Sequence, residues 1–209
     1  MEVRQIRCGW SNCWLIKEQG HAVLVDTGAP GYGRQIEAQI ACEPVELIIL
    51  THGHTDHIGG TAYLIEKQHI PVMMHPSDVI ITVNPTARPL KCCTMRGQLL
   101  GFFSEKMLHK KAEPFRLTHL AEEGMRLDEW GISASIVTLP GHTEGSIGVL
   151  TDDGALIAGD ALMHIGSVTA PLIYENSAAV EATLEKIGRL GVKWLCPGHG
   201  KAFEAGKYF

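Results

Sequence analysis

The stretch ELIILTHGHTDHIGG, residues 46–60, sets His52, His54, Asp56 and His57 within six positions at the end of an apolar run. Imidazoles and carboxylates are costly to bury unless something pairs with them. What needs that many together is a metal, because borderline divalent ions such as zinc take histidine nitrogen and aspartate oxygen. In a loop leaving a strand, His52 and His54 at i and i+2 can point the same way, which suits two ligands on one ion. Asp56 and His57 fall one turn further on, at the start of the next helix. They cannot easily reach the same ion, so a second ion is implied. The bland alternative is a solvated loop that happens to be rich in histidine.

The rest of the chain argues against that alternative, because the pattern recurs. LVDTG ends on Asp26, VTLPGHT on His142, LIAGD on Asp160 and WLCPGHG on His199. Each time an apolar run stops and a His or Asp follows within a few residues, beside glycine. If these runs are strands of packed sheets, their ends converge on one edge, where loops carry chemistry on a rigid scaffold.

The elements that must position them can be read from periodicity. EVRQIRC, CWLIKE and HAVLVDTG are short apolar runs separated by turn residues, as in a meander. Residues 34–42 follow, with Ile36 and Ile40 at helical spacing. VELIIL has the continuous apolar run of a buried central strand. GGTAYLIEKQ then shows an amphipathic helical pattern, PVMMH is a further strand, and Pro76 suits a helix first turn. The C-terminal third repeats the plan with SASIVTLPGH, SIGVLTDDG and ALIAGD, then a helix over 177–190 with Ser177 as N-cap and Gly191 past its end, then KWLCPGHG. Two such halves predict an α+β fold, a four-layer αββα sandwich of two mixed β-sheets flanked by helices. At 209 residues the chain reads as one domain, 1–209.

The middle, about 84–118, fits neither half. From 88 to 116 it holds seven Lys and Arg against two Glu, a local balance of +5. Met95, Leu99, Phe103 and Met107 fall four apart, which predicts an amphipathic helical insertion. As a lid, its apolar face would wall a pocket. As an interface helix it would join two subunits into a homodimer, and in the plain reading it packs on the core with a solvated basic face.

Composition narrows the function classes. Hydrophobic content of 45% and charged content of 20% are ordinary for a globular protein. A net charge of −5 argues against a nucleic-acid partner, whose footprint should be a basic face. No apolar run reaches the length of a membrane span, and MEVRQIRCGW lacks the apolar core of a signal peptide. Six scattered cysteines then suit reduced thiols, so the expected location is cytoplasmic and the expected partner a small-molecule substrate.

THGHTDHIGG, with LPGHTEGS, AGDALM and CPGHG following in order and LVDTG ahead, resembles the metallo-β-lactamase superfamily over nearly the whole chain apart from the insertion. That resemblance implies one metal on His52, His54 and His142, another on Asp56, His57 and His199, and Asp160 bridging them. It implies two Zn²⁺, with Mn²⁺ or Fe²⁺ as alternatives. Asp26 would orient a ligand histidine or its loop, although beside Thr27 and Gly28 a turn-forming aspartate reads equally well. His164, four residues after Asp160, would line the pocket or simply pack. Tyr174 would hydrogen-bond a developing oxyanion or sit as a plain core tyrosine.

With two ions about 3.5–4 Å apart, a shared water loses its proton near neutral pH and the hydroxide attacks an electrophilic carbon or phosphorus. Asp56 is the candidate catalytic residue, accepting or passing on a proton. The implied reaction is hydrolysis of a small ester, thioester or lactone, in the glyoxalase II or lactonase-like branch. The family's antibiotic-degrading members carry cysteine where Asp160 stands, so true β-lactamase activity is not expected. Two alternatives stay open. One is a mononuclear-iron persulfide dioxygenase using His54, His142 and Asp160; the other is a phosphodiesterase of the same superfamily.

Overall fold

The computed structural model describes residues 1–92 and 112–208. The first half runs β1 (Glu2–Cys8), β2 (Ser11–Glu18), β3 (His21–Val25), α1 (Gly33–Ile40), β4 (Val45–Leu50), α2 (Thr55–Ile58), α3 (Thr61–Gln68) and β5 (Val72–Met74). A 3₁₀ turn, Pro76–Asp78, leads into α4 (Val79–Val83) and then β6 (Lys91–Cys92). The second half runs β7 (His119–Leu120), β8 (Ala134–Thr138), β9 (Ile147–Thr151), β10 (Ala155–Gly159), β11 (Met163–Ile165), β12 (Ser167–Thr169) and β13 (Ile173–Tyr174). It closes with α5 (Ser177–Arg189), β14 (Trp194–Pro197) and β15 (Phe203–Glu204).

One sheet has the order β1-β2-β3-β4-β5-β7 and the other β15-β14-β10-β9-β8. Both are mixed: β1–β2–β3 are antiparallel and β3–β4–β5–β7 parallel, while β10 pairs parallel with β14 and antiparallel with β9. This is the four-layer α+β arrangement that the sequence predicts.

Strand periodicity explains the layers. In β3, Val23 and Val25 enter the core between the sheets, while Ala22 and Leu24 face the helix-covered side. In β4, Leu47 and Ile49 point inward, and Ile48 and Leu50 meet the outer cluster with Ile36 and Ile40 of α1 and Leu64 of α3. Both faces of these strands are therefore covered, which is why VELIIL shows no polar alternation. The second sheet repeats the device, with Ile157 inward and Leu156 packed outward with Ile187 of α5.

One detail differs from the sequence reading, and one expectation falls outside the described residues. The N-cap of α5 is Asn176, not Ser177: its Oδ1 accepts from the Ala178 and Ala179 amides, at 3.1 and 3.3 Å. Asn176 has the extended backbone of an N-cap, and Ser177 is already helical. The stripe Met95, Leu99, Phe103 and Met107 lies outside the described residues. Of the segment 84–118 the near end is anchored, with β6 pairing antiparallel to β13. Among the described residues no helix is long and apolar enough to cross a membrane.

Candidate metal centre

The strand ends converge as required. His52, His54, Asp56 and His57 leave β4, His142 follows β8, Asp160 follows β10 and His199 follows β14. Ligating atoms of His52, His54 and His142 lie within 4.8 Å of one another, as do those of Asp56, His57 and His199, and those of His52, His57 and Asp160. Asp160 stands between the first two groups, with Oδ2 3.7 Å from His142 Nε2 and 3.2 Å from His199 Nε2, and Oδ1 3.4 Å from His57 Nε2. All are buried except Asp56, whose side chain is one-fifth exposed. Gly198 leaves room for this: a Cβ there would fall 2.1 Å from Asp160 Oδ1.

Four imidazoles are aimed by bonds on their far side. Nδ1 of His57 faces Asp26 Oδ2 at 2.8 Å, and that of His142 faces the Ile173 carbonyl at 2.7 Å. Nδ1 of His199 faces the Trp10 carbonyl at 2.9 Å, and that of His52 faces Thr51 Oγ1 at 3.1 Å. An acceptor on Nδ1 leaves the Nε2 lone pair turned into the cluster, the arrangement a metal-binding histidine needs.

The electrostatics divide. Burial, then the neighbouring histidines, hold His52 well below the usual imidazole range. Burial and His142 bring His54 down to about 3. For His57 burial acts the same way, but Asp160, Asp56 and Asp26 together carry it up to about 10. His199 is raised too: burial lowers it, but Asp160 and Asp56 together outweigh that. Asp56 and Asp160 are lowered despite burial, Asp56 by His57 then His199 and Asp160 by His199 then His57.

These residues fit a metal on three observations. The donor set is histidine nitrogen with aspartate oxygen. Buried His52 Nε2 and Asp160 Oδ1 have no hydrogen-bond partner among the described residues, a costly state that coordination would relieve. His54 Nδ1 and His142 Nε2 face each other at 2.9 Å, and two lone pairs so close call for a cation or proton between them.

Asp26 makes no turn of its own. With φ +61, its carboxylate reaches the Thr51 amide and hydroxyl, both at 2.8 Å, as well as His57. His164 is half-buried, with Nδ1 2.9 Å from the Lys201 carbonyl and its ring against Phe203. Tyr174 is half-buried in β13, beside the residue whose carbonyl holds His142.

Sequence reasoning missed Asp78. Fully buried, it accepts from the Gly53 amide at 3.0 Å, Thr143 Oγ1 at 2.7 Å and the Gly145 amide at 2.8 Å. Its charge is met by the Arg88 guanidinium, which also pairs with Glu175 at 2.9 Å and Glu144 at 3.2 Å. Gly53 lies between His52 and His54, and Thr143 follows His142, so one carboxylate ties both loops of that trio. HPSDVI offers only the signal of an ordinary helix start, which does not distinguish a buried hub from a solvated cap. The β1–β2 hairpin was also unforeseen as a support. Besides the Trp10 carbonyl, Ser11 Oγ donates to the Asp56 carbonyl at 2.7 Å.

Residues 6–199 match the family model of the metallo-beta-lactamase superfamily. The chain is 24% identical to "Beta-lactamase-like protein 2 homolog" of Caenorhabditis elegans, over 93% of this chain and 57% of that protein. It is 31% identical to "Probable metallo-hydrolase YflN" of Bacillus subtilis (strain 168), over 72% of this chain and 59% of that protein. It thus spans under two thirds of the length of these two relatives. Among solved structures it resembles TTHA1623 in a di-iron-bound form, with TM-score 0.72 and 26% identity over 99% of this chain and 96% of that one.

Proposed function

We propose that this chain, which belongs to the metallo-β-lactamase superfamily, is a hydrolase that takes two divalent ions and cleaves a small ester, thioester or lactone. The observation that carries this is the convergence of seven ligand-type side chains, six of them around a central Asp160. His52, His54 and His142 would hold one ion, Asp56, His57 and His199 the other, and Asp160 would share both. Bound there, the ions would lower the pKa of a coordinated water toward neutrality and polarise the substrate's oxygen.

The chain's own residues do the rest. Asp26, the Ile173 carbonyl and the Trp10 carbonyl hold three imidazoles in place, so little reorganisation is needed when substrate arrives. Asp56, the one ligand side chain partly open to solvent, would accept a proton from the attacking water and pass it to the leaving group. Zinc is the first choice of metal for this donor set, with manganese as an alternative. The di-iron form of a relative makes iron the other alternative. Seven donors exceed what a single-iron dioxygenase of the two-histidine, one-carboxylate type would use.

The test is metal content per chain by mass spectrometry, followed by a panel of esters, thioesters, lactones and phosphodiesters. Two ions per chain and hydrolysis abolished in Asp56→Asn are expected. One iron per chain, with oxygen consumed on a persulfide, would overturn the reading.

A further inference from the structure

A groove of about 410 Å³ runs along the outer side of the His199 loop, lined among others by Arg7, Trp10, Asn12, His164, Ile165 and Lys201. Its size falls in the range of small-molecule sites, roughly 300–1,000 Å³. Among the described residues no acidic side chain lines it. That composition is unusual in a chain of net charge −5. Elsewhere Lys17, Arg88, Arg126 and Lys186 each pair with a carboxylate. Arg7 and Lys201 are exposed and have no such partner among the described residues. Two large apolar side chains on the same groove are also open, Trp10 at 57% and Ile165 at 40% exposure.

The groove is built on the backbone that seats a metal-site histidine. The Trp10 carbonyl accepts from His199 Nδ1, and the Trp10 ring lies 6.4 Å from the His199 ring. The His164 amide donates to the His199 carbonyl at 3.0 Å. Beneath Lys201, the Gly200 carbonyl accepts from Asn12 Nδ2 and Gln5 Nε2, both at 2.8 Å. Asn12 Nδ2 also reaches the Pro197 carbonyl at 2.9 Å. The floor's hydrogen bonds are thus already made, and a ligand would meet Arg7, Lys201 and the Trp10 face. A guanidinium beside an ammonium suits a carboxylate, sulfonate or phosphate, and an open indole suits a flat or apolar spacer.

We infer that this groove receives an anionic arm of the substrate, so that the preferred ester or thioester carries a negative group on a flat or apolar portion beyond the bond to be cleaved. The inference rests on the hydrolase reading and deepens it.

The test compares S-phenyl thioacetate with its 4-carboxylate on the metal-loaded full chain. The carboxylate is favoured about tenfold in kcat/KM, through KM, and the preference shrinks as salt rises from about 20 to about 500 mM. Arg7→Gln and Lys201→Gln each lower the preference several-fold, and the double variant removes it. A second readout needs no turnover: naphthalene-2-sulfonate binds by calorimetry, and binding weakens at least fivefold in the double variant. Hydrolysis of both thioesters with equal kcat/KM at every salt concentration would overturn the groove and leave the hydrolase standing. No hydrolysis of either, with two ions bound, would overturn the hydrolase. Sulfonate binding lost in the variants would then still support an anion site, and binding unchanged in them would remove it.

Discussion

The two halves of the metal centre are held by two buried carboxylates that work differently. Asp26 grips the ring of His57, and also the Thr51 amide and hydroxyl just before His52. Asp78 touches none of the ligand rings. It holds Gly53, Thr143 and Gly145, the backbone and side-chain groups next to His52, His54 and His142. The electrostatics differ in the same sense. Burial drives His52 and His54 toward the neutral form, whereas carboxylates hold the charge on His57 and His199. An imidazole can be held by a carboxylate on its own ring or by one on its loop, and for His52 and His54 the second route leaves the charge opposed by burial and by the neighbouring histidines.

The largest effect expected is from Asp78→Ala. It would leave the Gly53 and Gly145 amides and the Thr143 hydroxyl without their acceptor, at about 1–3 kcal/mol for each buried bond unmade, while Arg88 keeps Glu175 and Glu144. Denaturant melts of metal-free protein check it; a loss below about 1 kcal/mol would show that the loops hold themselves. Asp78→Asn should keep the fold and lower metal content from two ions toward one, because it loosens only the His52, His54 and His142 trio. Equal loss of both ions would break the comparison.

Next comes Asp26→Asn, which keeps the shape but removes the charged acceptor behind His57. Such outer partners typically contribute 10–100-fold in metal affinity. Competition titration with a chelating dye would measure it, and unchanged affinity would mean that Asp26 serves only to hold Thr51.

A pH series sharpens the electrostatic half. His57 sits at about 10 in the folded chain, against about 6.5 when unfolded. The folded state therefore holds a proton that the unfolded chain has lost between those values. Its contribution to stability is complete below about pH 6.5 and is lost as pH rises through about 10. Thermal melts of metal-free protein at pH 6, 8 and 10 should show a steady fall attributable to this site. In His57→Gln that part of the fall should vanish. The smallest effect belongs to Ser11→Ala, which removes the bond to the Asp56 carbonyl for about 1 kcal/mol and should leave metal content at two.

How far the sequence could be read follows from the same contrast. Strand positions were legible because Val23 and Leu24, or Leu47 and Ile48, are apolar on both faces and end at glycine and aspartate. The ligand-type residues were legible because each closes such a run. Asp26 was half-legible, since LVDTG marks the position but not the direction of its carboxylate. Asp78 was not legible: its partners lie 25, 65 and 67 residues away, and nothing local separates it from a helix cap. The same ambiguity hid Asn176, where two adjacent residues could each cap α5. The groove beside Trp10 was equally invisible, because it joins a hairpin turn to loops far along the chain.

The bond from His199 Nδ1 to the Trp10 carbonyl spans 189 positions of sequence. Contacts so distant in the chain close late in folding, because loop entropy must be overcome first. On a ribosome, the hairpin that seats His199 emerges long before His199 does. The Asp56, His57 and His199 group therefore stays incomplete until residue 199 has been made, while His52 and His54 are already available. Were the cluster to take metal as proposed, that group could close on an ion only after the β1–β2 hairpin and the segment around His199 have met.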